Sequence, residues 1–332
     1  MKENLPILES KKEVKKEHKF ERLLGILRKS IMVAMMGLAT SQFSENRSGT
    51  YIGHAHETKI ERLEKNKEFK QIKIDDIQRM VLQDESERIF LGSGDKLYEV
   101  AGGQKESGFV EFKDIQHIID QGEKSPIVGH THPISVYDNA GYTAKDIGEM
   151  KKENNLPAPM PPSITDIMGS INTAKHFDDQ GVEMRERVYD PTGMWEYRVQ
   201  IANAAIELFD EFQRDLSNTV EANLTDSDRQ IMKELELDSI HPVKRVAFLK
   251  SNPKTSVIGV KLEQAVDTCL ENLPEEKQEV FQRFGEIEVL CVDIAGAKKS
   301  GYDYQQIQNL IGDYIQTARA IGVQVSYQST AK

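Results

Sequence analysis

The chain has 332 residues, a formal net charge of −11 and 38% hydrophobic residues, which is typical of a globular protein of two domains or one elaborated domain. The acidic balance argues against a nucleic-acid-binding protein, because such proteins usually carry a basic face. No apolar run approaches the roughly 20 residues of a membrane-spanning helix, so membrane contact is not expected. Cys269 and Cys291 lie in apolar-periodic segments, which predicts buried free thiols.

Residues 1–72 are predicted to form a charged, mostly helical extension. Apolar side chains recur every three or four positions over 20–38, which favours an amphipathic helix. Residues 31–41 also admit a second interpretation, the apolar core of a secretory signal behind a long charged leader. We expect the helix, and with it a cytoplasmic protein. His54 and His56 lie in a Gly/Ser-rich stretch and are expected in a surface loop.

Residues 73–205 are predicted to form a mixed β-sheet flanked by helices, an α+β arrangement. Asp75 is expected to cap the first helix, because Gln78 follows three positions later. A second, short helix is expected over 114–120. Alternating apolar residues and turn signals predict strands over 87–94, 95–100, 108–112, 125–132, 182–189 and 194–199.

Two short fragments of this region are typical of a metal site. They are GHTHP at 129–133 and PSITDI at 162–167. Residues two apart on a strand point to the same side of a sheet, so His130 and His132 can reach one ion. Asp166 lies in the first turn of a helix that Ser163 is expected to cap, which makes it the natural third ligand. Two imidazoles and one carboxylate predict a catalytic zinc site with water in the fourth position.

These residues resemble the JAMM motif of the JAB/MPN metalloprotease family, in which an upstream Glu precedes His-x-His-Pro and Ser-x-x-Asp. The resemblance covers residues 74–200, in the order helix, two strands, short helix, metal-binding strand and serine-capped helix. It implies that zinc binds to His130, His132 and Asp166. It also implies that Ser163 stabilises the tetrahedral intermediate of a metallopeptidase. Members of the family cleave peptide or isopeptide bonds, often beside a ubiquitin-like protein, so the resemblance implies a deubiquitinase-like hydrolase with a protein or peptide substrate.

The resemblance further implies a catalytic Glu at the start of the first strand after the helix, seven positions before a glycine. Glu87 meets this requirement with Gly94, and Glu85 meets it with Gly92. Glu99, in the next strand, is a third candidate. We select Glu87 as the general acid/base because it directly opens the strand.

The spacing between the two halves of the motif departs from the family pattern. Ser163 comes 31 positions after the second histidine, so residues 134–160 would form an insertion over the cleft. Thr143 and Asp146 form a rival Thr-x-x-Asp closer to the usual spacing; if Asp146 is the ligand, Ser163 is only an N-cap. We favour Asp166 because its fragment is complete and opens a better helix. Prolines at the end of the insertion predict a stiff, extended approach to that helix.

Residues 206–332 are predicted to be rich in helix, with two strands that either complete the preceding sheet or form a small second one. The expected helices cover about 201–236, 260–281 and 303–321, and the expected strands cover 286–294 and 321–327.

Three alternatives to a zinc metallopeptidase follow from the same residues. The first is a catalytically silent JAB/MPN module that only binds a protein. The second is a barrel-type amidohydrolase, which also opens with His-x-His, but the chain lacks eight alternating strand–helix units. The third is a ferrous oxygenase site with two histidines and one carboxylate, against which the Ser-x-x-Asp helix argues.

Overall fold

A computed structural model describes residues 71–329, except 85, 94–95, 103–109, 111, 154–155 and 235–254. The predictions for residues 1–70, including the amphipathic helix and the loop with His54 and His56, lie outside this described part. None of the described helices is long and apolar enough to cross a membrane.

The described elements follow one another in this order. The first are β1 (Gln71–Ile72), α1 (Ile74–Gln83), β2 (Arg88–Ser93), β3 (Lys96–Gly102), α2 (Phe112–Asp120) and β4 (Pro126–Thr131). Next come a 3-10 helix (Ile134–Ala140), α3 (Ala144–Glu153), α4 (Ile164–His176), a second 3-10 helix (Asp178–Gln180), β5 (Arg185–Asp190) and β6 (Gly193–Val199). The last are α5 (Ala204–Asn223), α6 (Asp226–Glu234), α7 (Ser256–Glu271), α8 (Glu275–Gly296), α9 (Tyr304–Ala320) and β7 (Val323–Ser329).

The seven strands form one mixed sheet in the order β1-β3-β2-β4-β5-β6-β7. Every neighbouring pair is antiparallel except β4 and β5, which are parallel. Parallel neighbours need a long crossover connection, and here that crossover contains the insertion and α4. The fold is therefore α+β with a mixed sheet, as the sequence predicts.

The two faces of the sheet carry different helices. Phe90 and Ile127 face the side on which Ile77 and Val81 of α1 pack. Leu91 and the partly buried Val128 face the opposite side, where side chains of α2 and α4 complete a second apolar cluster. Side chains alternate along a strand, so the residues two and four positions after Val128 share this second face. His130 and His132 therefore lie on the side of the sheet that packs against α4.

The strand at the end of the chain completes this sheet, which answers the question left open by the sequence. β7 pairs with β6 from Val199↔Val323 to Gly193↔Ser329. Within the described residues, 71–207 and 290–329 form one compact unit around the sheet, and 208–289 contribute to a second. The sequence places the domain boundary at 205/206, two positions before this change of unit.

The described residues of the second unit are mainly helical. Four buried phenylalanines form its aromatic core: Phe209, Phe212, Phe281 and Phe284. The ring centroids of Phe212 and Phe281 are 4.5 Å apart. Cys269 and Cys291 are both buried and form no disulfide, so the prediction of buried thiols outside a disulfide is confirmed.

Several predictions for the C-terminal region are wrong in detail. The strand predicted over 286–294 is part of α8, because Ile287, Cys291 and Ile294 are buried at the spacing of a helix rather than of a strand. The helix predicted over 201–236 is two helices in the described residues, α5 and α6. The helix predicted over 260–281 is also two, because α7 ends at Glu271 and α8 begins at Glu275. The helix predicted over 303–321 and the strand over 321–327 are confirmed by α9 and β7.

Three predictions for residues 73–160 also need correction. Lys73, not Asp75, is the N-cap of α1, and Asp75 lies in its first turn. The strand predicted over 108–112 lies largely outside the described residues, and Phe112 begins α2 instead. The insertion over 134–160 is not simply a loop, since it contains the first 3-10 helix and α3.

Gly193→Ala tests the β6–β7 pairing. A Cβ atom at this position would lie 2.2 Å from the carbonyl oxygen of Gln328, so we expect the free energy of unfolding to fall by about 1–3 kcal/mol. Urea unfolding measures the change. Gly312→Ala is the control, because a Cβ there meets nothing within 4 Å and should stabilise α9 by about 0.5–1 kcal/mol. Unchanged stability of the Gly193 variant would contradict the pairing.

Candidate metal centre

His130, His132 and Asp166 bring three metal-binding atoms together. The Nε2 atoms of the two histidines are 3.2 Å apart. Asp166 Oδ1 lies 3.4 Å from Nε2 of His130, and its Oδ2 lies 3.6 Å from Nε2 of His132. A tetrahedral ion with ligand bonds of about 2.0–2.1 Å has ligand–ligand edges of about 3.3 Å. The three side chains therefore form a group that can hold a metal ion.

The two histidines are held at the end of the central strand β4. His130 is paired with Ile89 of β2 on one side and with Val188 of β5 on the other. The backbone N–H of His132 donates to the carbonyl oxygen of Tyr189 at 2.8 Å. The strands on either side of β4 fix its backbone. Because residues two apart on a strand share a face, both histidines then point to the same side of the sheet.

Asp166 is held by the start of α4. Ser163 is the N-cap, and its hydroxyl oxygen accepts from the backbone N–H of Asp166 at 3.2 Å. In return, Asp166 Oδ2 accepts from the backbone N–H of Ser163 at 2.7 Å and from its hydroxyl at 2.8 Å. This capping box fixes the rotamer of the carboxylate. Ser163, which the sequence predicts as a catalytic residue, therefore contacts the site directly.

The rival residue Asp146 lies elsewhere. It forms the same kind of capping box, since its Oδ2 accepts from the backbone N–H of Thr143 at 2.7 Å. The same oxygen lies 3.1 Å from Nζ of Lys299. The hydrogen bond from Thr143 and the lysine together lower the pKa of Asp146 to about 2. The structure places Asp166, and not Asp146, beside the histidines.

Glu87 lies next to the metal-binding group. It directly precedes β2 and is exposed. β2 and β4 are paired with Ile89 opposite His130, and continuing this register places Glu87 opposite His132, on the same face. The charge of Glu87 also contributes to the raised pKa of His130, which places the carboxylate within electrostatic reach of the site.

The other two glutamate candidates differ. Glu99 is paired with Phe90, on the opposite face of the sheet from the histidines. Its carboxylate accepts from Nη1 of Arg88 at 2.7 Å. Glu85 lies outside the described residues.

The electrostatics of the group favour a positive charge at its centre. Burial opposes protonation of His130, but attraction to the carboxylates of Asp166 and Glu87 outweighs it and raises the pKa of the imidazole. Burial likewise opposes ionisation of Asp166, but the neighbouring histidines outweigh it and hold its pKa well below the ordinary value. A carboxylate that stays ionised beside two imidazoles suits a bound cation.

His132 presents Nε2 to the other two ligands. Its Nδ1 atom is buried and has no hydrogen-bond partner among the described groups. Metal-binding histidines usually donate this second N–H to a neighbouring acceptor. The ring of His132 is therefore oriented by packing and by the contacts of Nε2, rather than by a second-nitrogen hydrogen bond within the described residues.

A buried polar cluster behind Asp166 was not predicted from the sequence. Ser170 Oγ donates to the backbone carbonyl of Asp166 at 2.9 Å and lies 3.3 Å from Oη of Tyr197. Burial raises the pKa of Glu186 to about 8; the charge of Asp166 acts in the same direction, and a hydrogen bond with Ser170 opposes it. Glu186 stands between Arg185 and Arg187, a pattern typical of an exposed strand, so the sequence carries no signal of its burial.

Comparison of the chain with protein-family models, with curated proteins and with solved structures finds no match.

Glu186→Gln tests the buried carboxyl. In the unfolded chain this group titrates near 4.5, and in the folded protein near 8. Between these values the unfolded state has lost a proton that the folded state keeps, so stability falls as the pH rises. We expect the variant to remove this fall and to be more stable than the parent at pH 8, by on the order of 3 kcal/mol. Urea unfolding between pH 5 and pH 8 measures the difference.

The control for this experiment is Glu196→Gln. Ion pairs with Arg185 and Arg187 outweigh the burial of Glu196 and lower its pKa. Its charge therefore stabilises the fold above the usual carboxyl pKa, and the variant should lose stability at neutral pH. Parallel stability curves for the parent and the Glu186 variant would contradict the assignment.

Proposed function

We propose that this chain is a zinc-dependent metallopeptidase of the JAMM type that hydrolyses a peptide or isopeptide bond. The observation that carries the proposal is that two imidazole nitrogens 3.2 Å apart each lie 3.4–3.6 Å from an oxygen of the Asp166 carboxylate, distances close to the edges of a tetrahedron of zinc ligands. Three protein ligands of this kind, with one position left for water, are typical of catalytic zinc.

The chemistry would be divided between the ion and the protein. Zinc, when bound, supplies Lewis acidity and lowers the pKa of a coordinated water to about 7. Glu87 lies at the exposed start of β2, on the histidine face. This position suits a carboxylate that accepts a proton from water and later delivers it to the departing amine.

Ser163 would perform two tasks. Its backbone N–H holds Asp166 Oδ2 at 2.7 Å, which orients the ligand. Its hydroxyl also donates to Asp166 in the structure, but a hydroxyl rotates freely about its C–O bond. Turned toward the cleft, it would donate to the oxygen of the substrate carbonyl as negative charge develops there.

Asp166→Asn and Asp146→Asn form a matched pair that tests the metal site. Both replace the carboxylate of a capping box at the start of a helix. Only Asp166 lies with the histidines, so we expect its variant to lose zinc affinity by at least about 100-fold. The Asp146 variant should retain about one zinc per chain. Elemental analysis and chelator competition measure both quantities; equal zinc binding by the two variants would refute the site.

Glu87→Gln tests the catalytic proposal. The variant should bind zinc as the parent does but lose hydrolysis by about 10²–10⁴-fold, because it cannot accept a proton. A library of linear and lysine-branched isopeptides, read by mass spectrometry, provides the substrates. Glu99→Gln is the control, because Glu99 is held by Arg88 on the other face, and it should keep full activity. A parent chain that binds zinc but cleaves nothing would favour the silent binding module.

A further inference from the structure

The segment that leads into α4 is buried although it lacks regular structure. This segment, residues 156–162 with the sequence LPAPMPP, is here called the proline segment. Every residue from Pro157 to Pro162 is buried. Prolines donate no backbone hydrogen bond, and a buried chain outside helix and sheet must find side-chain partners for its carbonyl groups.

Side chains from distant parts of the same unit supply these partners. Tyr137 donates to the carbonyl of Ala158 at 2.9 Å, and Met160 N–H donates to Asp190 at 3.3 Å. Cys291 donates to the carbonyl of Pro161 at 3.3 Å, and Tyr314 donates to that of Pro162 at 2.7 Å. Lys298 also donates to the carbonyl of Leu156, at 2.6 Å. Three of the five partners, Lys298, Cys291 and Tyr314, come from the C-terminal part of the chain.

The bond from Tyr314 is the one nearest to the metal-binding group. Tyr314 lies on α9, is fully buried, and packs its ring against Trp195 with centroids 5.5 Å apart. The carbonyl that it binds belongs to the peptide between Pro162 and Ser163. The N–H of that same peptide donates to Asp166 Oδ2.

A peptide group is planar, so its C=O and N–H cannot turn independently. A hydrogen bond that fixes the carbonyl oxygen therefore also fixes the direction of the N–H. Tyr314 on one side and Asp166 on the other are in this way joined through a single rigid plane. The orientation of the Asp166 carboxylate toward His130 and His132 depends on that plane.

We propose that Tyr314 is a positioning residue for Asp166. Through it, the C-terminal part of the chain contributes to the orientation of the metal ligands. The inference rests on the proposed metal site. Removal of the hydroxyl leaves the carbonyl of Pro162 buried without this donor. The peptide is then free to tilt, and the ligand loses its fixed direction.

Tyr314→Phe in the full-length chain tests the inference, with zinc alone as the ligand. The ring packing is kept and only the hydroxyl is lost. Loss of a residue that hydrogen-bonds a metal ligand typically lowers metal affinity by 10–100-fold. Tyr314 acts through one intervening peptide, so we expect its loss to weaken zinc binding by about 10-fold. Chelator competition measures the affinity, and the rise in melting temperature on zinc addition gives a second readout, which should shrink.

Tyr142→Phe is the matched control. It removes another buried phenol, one that no hydrogen bond joins to the proline segment within the described residues. Its zinc affinity should stay within about twofold of the parent. Cys291→Ala, which removes the donor to the neighbouring carbonyl of Pro161, should weaken zinc binding by about threefold, and it decides the matter if the Tyr314 variant does not fold.

The outcomes separate the two proposals. Parental zinc affinity in Tyr314→Phe, even with a lower melting temperature, would show that Tyr314 serves packing alone and would overturn the inference. If Tyr314→Phe does not fold, parental affinity in Cys291→Ala overturns it. Failure of the parent chain itself to bind zinc would instead overturn the proposed metal site, and the inference with it.

Discussion

A carboxylate that is largely withdrawn from water needs partners for both of its oxygens, and this requirement explains how the sheet-containing unit is arranged around Asp166, whose side chain is 21% exposed. One oxygen receives two donors from Ser163, at a helix N-terminus whose dipole favours negative charge. The imidazoles of His130 and His132 face the carboxylate from the sheet. Without Asp166, the histidines would face each other with no counter-charge from α4.

The topology of the sheet explains where these halves meet. β4 has an antiparallel neighbour on one side and a parallel neighbour on the other, so the chain must leave its carboxyl end and cross back before it can form β5. Crevices outside the carboxyl ends of strands, where neighbouring connections diverge, are frequent binding sites. In this protein the crossover carries the insertion, the proline segment and α4. The long spacing between the histidines and Asp166 is thus filled by folded structure that remains attached to the unit, with Lys299 bound to the carbonyl of Gly141 and to Asp146.

The parts of the site that could be predicted from the sequence are those set by local geometry. His130 and His132 are two apart on a strand, and Ser163 and Asp166 are three apart at a helix start, so each pair has one natural arrangement. The choice between aspartates is different, because the capping box of Ser163 recurs at Thr143–Asp146 and at Thr225–Asp228. Only tertiary structure distinguishes a box that faces histidines from one that faces a lysine. The burial of Glu186 and the bond of Tyr314, which spans 152 positions, depend entirely on such long-range contacts. The wrong prediction of a strand over 286–294 has the same cause. The apolar residues of this segment fit both the helical and the strand period, and only the packing against other helices decides between them.

The hydrogen bond between Tyr314 and Pro162, which spans 152 positions, has a consequence for the newly made protein. Domains fold as the chain emerges from the ribosome, the N-terminal parts first. The histidines and Asp166 emerge well before α9 and β7, yet β6 lacks its outer neighbour and Pro162 lacks its phenol until those elements appear. The nascent chain therefore carries all three ligand side chains for a period in which their final arrangement is not yet secured. The final arrangement of the centre is therefore reached only after α9 and β7 have been translated, later than the ligand residues themselves.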